Sequence, residues 1–409
     1  MGNLNAGDIA WVAAASALVM LMTPALGFFY AGLVRKKNLV STLVQCIAIF
    51  ALVSIIWALW GYSLAFGPTL NGLVGGLSHL GLSGVGMEAN DAYAATIPIL
   101  LFFFFQLKFA AITPALIIGA FAERVKFKAL LVFIVLWVTI VYAPVAHWVW
   151  GVGGWLRQFG ALDFAGGTVV HITAGFSALA AALVIGRRKD HGNGEFRPNN
   201  IPFVILGAAL LWFGWFGFNA GSALAANGLA VNAMVVTNLA AAAAAMSWMF
   251  TDWIVKGKPS AVGIAVGAVC GLVAITPASG YVGVPAALFI GLVAGILSNL
   301  VANWRATRTK LDDSLDVFAC HGVSGVWGAL ATGLFATKLI NSAGGDGLFY
   351  GNAHQFWVQC LAVAVVAAYS FVITYGLLKL LGKVMQVRVN AEDEDRGLDE
   401  SEHGETAYG

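Results

Sequence analysis

The chain has 409 residues, 60% of them hydrophobic and only 10% charged, where an ordinary soluble domain carries about 25% charged residues. That excludes a soluble enzyme. The near-balance of 22 Lys and Arg against 20 Asp and Glu, without a basic stripe, excludes a nucleic-acid binder as well.

From the N-terminus, no Lys or Arg precedes Arg35, and Ala6 breaks the myristoylation pattern. Neither a signal peptide nor a lipid anchor is expected there, so the first span should be retained. A hydrocarbon core of roughly 30 Å takes roughly 20 apolar residues per helix. Apolar runs fall near 9–33, 40–66, 97–121, 129–151, 165–186, 201–224, 229–254, 260–278, 281–303, 316–337 and 355–386. They are continuous rather than alternating, which excludes a β-barrel. The reading is an all-α polytopic membrane protein with eleven transmembrane helices in a plasma or inner cell membrane. Basic residues cluster after odd-numbered spans: Arg35 to Lys37, Arg124 to Lys128, Arg187 to Arg197, Lys256 and Lys258, and Arg305 to Lys310. The even loops hold little beyond Arg157 and Lys338. The N-terminus is therefore expected outside and, with an odd span count, the C-terminus inside. Stretches such as HITAGFSALAAAL and NLAAAAAAMSW predict close helix approach. Cys46, Cys270, Cys320 and Cys360 have no paired spacing and read as packing residues rather than metal ligands.

Ionisable residues at membrane depth mark pathways by default. Here they are Lys108, His147, Asp163, His171, His321 and Asp316. Asp163 stands at the outer start of the fifth span, and His171 should lie roughly 12 Å deeper at 1.5 Å per residue. HITAG at 171–175 and HGVSG at 321–325 share His, a small residue at +3 and Gly at +4. The match hints at a duplication in which spans one to five and six to ten form an inverted repeat, with a site near the midplane. The corresponding division is a first half-repeat at 1–200, a second at 201–352, a last span at 353–388 and a cytoplasmic tail at 389–409. Asp163 has a second reading, as a cap on the backbone amides opening the fifth helix. Aromatic clusters at the outer ends of spans read either as interfacial belts or as a mouth that attracts a small desolvated cation.

At this point ALGFFYAGLVRKKN, GYSLAFG, GAFAERVKF, AHWVWG, GALDFAGGTVVHI, GWFGFNAGSA, ITPASGYVG, DVFACHGVSG and the tail GLDESEHGETAY resemble the ammonium transporter (Amt/Mep/Rh) family, in its bacterial and archaeal branch. The resemblance implies a homotrimer with one pore per protomer. It places Phe109, Trp150, Phe218 and Ser222 at an outer recruitment site with Asp163 beside it. His171 and His321 would line the pore near Trp215, and either Phe105 or Phe104 would take a neighbouring place. Lys108 departs from the family pattern; it is expected to point sideways toward lipid or a neighbouring subunit and to snorkel outward. Gly397, Asp399 and Tyr408 fall in the tail, which in the family crosses to a neighbouring subunit and supports an open pore. The partner implied there is a trimeric P-II nitrogen-signalling protein.

Moving bare NH4+ through hydrocarbon costs tens of kcal/mol, whereas NH3 loses only hydrogen bonds. A pore that strips the proton and passes ammonia along neutral imidazoles therefore excludes potassium, which has no proton to give up. Ammonium, with methylammonium as its analogue, is the expected substrate; no cofactor or metal and no enzymatic chemistry is expected. Two other readings remain: an ammonium sensor on the same scaffold, whose output domain the short tail would not supply, and a passive NH3 or CO2 gas channel.

Overall fold

The computed structural model describes residues 4–192 and 196–408. The reading of the N-terminus as free of a leader therefore falls partly outside the described residues, as does the last residue of the tail. Among the described residues, ten helices are long and apolar enough to cross a membrane. In chain order these are α1 (Ala6–Leu33), α2 (Lys36–Phe66), α3 (Ile99–Phe121), α4 (Phe127–Gln158), α5 (Gly167–Ile185), α6 (Ile201–Ala220) and α7 (Gly228–Lys256). After the shorter α8 (Ala261–Ile275) follow α9 (Val284–Arg308), α10 (Phe318–Phe335) and α11 (Ala353–Val384).

The eighth run, expected over 260–278, gives only the fifteen residues of α8. At 1.5 Å per residue these cover roughly 22 Å, less than the roughly 30 Å core. The helix stops because Pro277 follows Thr276: Thr276 keeps helical φ and ψ of -51° and -49°, but proline has no N–H to carry the hydrogen-bond ladder on and its ring clashes with the preceding turn. Every residue from Gly267 to Ile275 is buried in protein, whereas Ala261 and Ile264 at the start are exposed, so most of α8 meets protein rather than lipid.

Glycine and alanine let the bundle close. A Cβ at Gly207, Gly214 or Gly217 of α6 would strike the backbone or side chains of Ala25, Met22 and Ala15 on α1. On α8 and α9, Gly271, Gly291 and Gly295 press on Ala240 and Ala244 within the alanine run of α7. This is packing by small residues, as lipid surroundings demand. Two short antiparallel ribbons, Thr69–Leu70 with Val74–Gly75 and Ala89–Asn90 with Ala94–Pro98, connect α2 to α3.

Five helices carry one widened π turn each: Trp57–Gly61, Val138–Tyr142, Gly167–Ile172, Phe216–Ala220 and Phe318–Val323. Such turns cost regular hydrogen bonding and concentrate at functional sites. Two of them carry His171 and His321. After α11 the chain forms α12 (Ala391–Arg396) and α13 (Leu398–His403), which lie on the loops at the same end of the bundle.

Candidate functional site

One end of the bundle opens into a vestibule of about 600 Å³, lined among others by Phe105, Phe109, Trp150, Asp163 and Ser222. The Trp150 indole is fixed by donating to the Asp163 carbonyl at 2.9 Å. The Ser222 hydroxyl donates to the Phe218 carbonyl at 2.8 Å, which leaves its oxygen lone pairs free to accept from a ligand. Phe109 meets Trp150 edge-on at 6.0 Å and Phe105 at 4.9 Å. The sequence left Phe105 and Phe104 as alternatives; only Phe105 borders the vestibule, while Phe104 lies under Lys108.

Phe109, which lines the vestibule, lies against Phe218 with ring centroids 4.3 Å apart. Beneath them is a void of about 10 Å³ walled by Leu26, Ile112, Val170 and Trp215 with His171 and His321, about enough for one water-sized molecule. The two imidazoles touch through their Nδ1 atoms at 3.2 Å, with rings 21° from parallel. Trp215 stacks on His171 at 5.5 Å and is itself held by donating to Thr276 Oγ1 at 2.9 Å. His171 Nε2 is buried and has no partner. His147, by contrast, engages the Ala65 carbonyl and Thr69 Oγ1 through its two nitrogens, which is a structural role.

The shared glycines now have a reason. Gly175 abuts the backbone of His321 and Gly322, and Gly325 abuts His171 and Ile172, so each +4 glycine makes room for the other histidine's turn. A second match was visible in the sequence and went unread: Asp313 stands eight residues before His321, as Asp163 stands eight before His171. Asp163 accepts from the amides of Gly166, Gly167, Thr168 and Val169, which makes it a cap on the His171 turn. Asp313 accepts from Val317 and Phe318, capping the turn of His321. Gln106 was also missed: it borders the vestibule with its Oε1 buried and unpartnered. Only an unpaired polar residue beside Lys108 could have signalled it.

Lys108 does not snorkel. Its residue is 3% exposed and its ammonium sits 3.5 Å from the centroid of Phe104 and 5.3 Å from that of Phe50. It turns to Phe50 on α2 of its own chain rather than toward lipid or a neighbouring subunit, and ring faces rather than water stabilise its charge.

At the other end of the bundle, Arg188 grips Asp312 at 2.8 Å and 3.0 Å and reaches Glu123 at 3.3 Å, and Glu123 also binds Arg35 at 2.8 Å. Burial raises the Asp312 carboxyl, yet Arg188 and Arg124 outweigh it and hold the group well below the usual range. The tail docks here on the loops and helix start of its own chain. Asp399 accepts from Val40 and Ser41 at 3.0 Å and 2.7 Å at the start of α2, where an anion opposes the helix dipole. Lys37 donates to the carbonyls of Glu394 and Asp395, and Lys189 pairs with Asp395. Tyr408 accepts from Asn200 at 3.0 Å under the Lys36 ammonium. Gly397 takes φ +105° between α12 and α13, and a Cβ there would lie 2.5 Å from Lys37.

A profile described as Ammonium Transporter Family matches residues 10–408. The chain is 48% identical over 409 residues to the "Ammonium transporter" of Bacillus subtilis, covering 99% of each. Among solved structures it resembles Saccharomyces cerevisiae Mep2 with TM-score 0.89 at 36% identity, over 95% of this chain and 89% of that one. It also resembles a "Sensor Amt Protein" with TM-score 0.89 at 32% identity, over 97% and 98%.

Proposed function

Because the chain belongs to the ammonium transporter family, we propose that it recruits NH4+ in the vestibule, strips its proton and conducts NH3 past His171 and His321, with net charge transfer. The observation that carries this reading is the pair of mutually bonded imidazoles in a small apolar-walled void beneath Phe109 and Phe218. The rings and the Ser222 oxygen offset part of the ion's dehydration at the mouth, each ring by about 0.5–2 kcal/mol. A void this apolar favours the neutral species, and His171 Nε2 is free to hydrogen-bond it or to take up its proton. Trp215 fixes the ring plane, while Asp163 and Asp313 hold the two π turns in register.

The matched pairs Asp163 with His171 and Asp313 with His321 support an inverted repeat of 1–200 and 201–352. Counting α8 as a short, largely protein-enclosed span gives eleven, with the N-terminus outside and the tail, 389–409, inside a cell membrane. The assembly is proposed as a homotrimer, with Gly397, Asp399 and Tyr408 shaping a tail surface read by a P-II protein. A second reading, an ammonium sensor, rests on the likeness to the solved sensor protein.

Current across liposomes carrying the purified protein tests the proposal. Ammonium should evoke current and potassium none. A sensor carries little flux, a gas channel carries no charge, and either result would overturn the reading.

A further inference from the structure

Arg157 sits at the rim of the vestibule and donates from Nη1 to the Trp150 carbonyl at 2.6 Å. Among the described residues lining that space, it and Asp163 are the only charged ones. Their charges do not cancel where a ligand would sit. The Asp163 carboxylate spends both oxygens on four amides of the α5 turn, and the positive end of that helix offsets about half a unit of its charge. The guanidinium has no carboxylate partner and bonds a neutral carbonyl. A cation entering beside Trp150 therefore meets an exposed positive charge at the rim.

We propose that Arg157 is an electrostatic brake on recruitment: it lowers the occupancy of the aromatic site by ammonium and by any other monovalent cation alike, and so sets the apparent affinity without acting on the permeation step. The inference rests on the transport reading above. Because the interaction is charge with charge, it is blind to the size of the ion, unlike the ring contacts. Arg157 is exposed, so salt should screen the effect. For like charges about 8 Å apart at an effective dielectric of roughly 40–80, removing one strengthens binding roughly two- to sixfold.

The test is the concentration dependence of liposome currents for wild type, Arg157→Gln and Arg157→Lys, with ammonium and methylammonium, in low and high sodium chloride. In low salt Arg157→Gln should lower KM roughly two- to sixfold for both ions, with maximal current unchanged. The gap should close in high salt, and Arg157→Lys should keep the wild-type KM. A merely structural hold on the Trp150 carbonyl would instead raise KM in Arg157→Gln, independently of salt. That result, an unchanged KM, or a lysine variant that behaves like the glutamine one would overturn the proposal. Absence of any ammonium current in the wild type would sink the transport reading itself, and this one with it.

Discussion

Replacing Gly397 by alanine should undock the tail. At φ +105° and ψ 148° the residue occupies a region that is essentially glycine-only, and a side chain there costs about 1–3 kcal/mol. The new Cβ would also lie 2.5 Å from both the Cβ and the carbonyl oxygen of Lys37, and relieving such overpacking costs about 1–3 kcal/mol more. Opposing this are the two amide bonds to Asp399, the Leu398 amide bond to Asn38 and the Lys37 bonds to two tail carbonyls, each worth about 0.5–1.5 kcal/mol net. Penalty and docking energy are thus of the same order, and a loss of about 2–6 kcal/mol lowers the docking equilibrium constant by a factor of roughly 30 or more. Hydrogen exchange at the amides of Val40, Ser41 and Leu398 reads this directly. We expect their protection to collapse and transport to fall sharply, while oligomer size on gel filtration stays that of the wild type; Gly397→Asp should do the same. Undiminished protection with full transport would refute both the strain argument and the regulatory role of the segment.

Three further outcomes are expected. His171→Asp places a fixed charge in the apolar-walled void and should admit potassium current; a variant that still excludes potassium as well as the wild type would remove proton stripping as the filter. Trp150→Leu and Ser222→Ala should each raise the half-saturating ammonium concentration severalfold while still passing substrate, and an unchanged concentration dependence in both would move recruitment elsewhere. Burial lifts the Asp313 carboxyl to about 6, with Arg305 pulling against it and Asp316 adding to it. A folded-state value above the unfolded one of about 4 contributes stability that is full below pH about 4 and lost as pH rises through about 6. The apparent Tm of the wild type relative to Asp313→Asn should therefore fall between pH about 4 and about 6 and level off above, and a constant difference across that window would show that the carboxyl does not titrate there.

The sequence alone disclosed the spans because lipid imposes a composition over some twenty residues at a time, which no local accident imitates. It disclosed the histidine pair because HITAG and HGVSG place a glycine where two backbones must nearly touch. It could not disclose the length of α8, since the apolar run continues through Pro277 while the helix does not. The π turns left no trace in composition either, because they are a choice of hydrogen-bond partner rather than of side chain. Lys108 was misread for a related reason: snorkelling was inferred from charge, but the neighbouring Phe104 and Phe50 offer the ammonium ring faces within reach. Asp313 was legible in principle, at the same eight-residue offset as Asp163.

The contact between the two Nδ1 atoms at 3.2 Å has a consequence for timing. Two nitrogens in hydrogen-bond contact hold one hydrogen between them, so the tautomer of one neutral ring dictates that of the other. The pair then behaves as a two-position register: the shared hydrogen belongs to His171 or to His321, and each arrangement leaves opposite outer nitrogens bare. A proton relayed from one end to the other flips both rings at once and leaves the register set against a second proton from the same side. Resetting requires the rings to turn or a hydrogen to return by another route. Any charge carried along this pair therefore moves one unit at a time, with an obligatory pause between units.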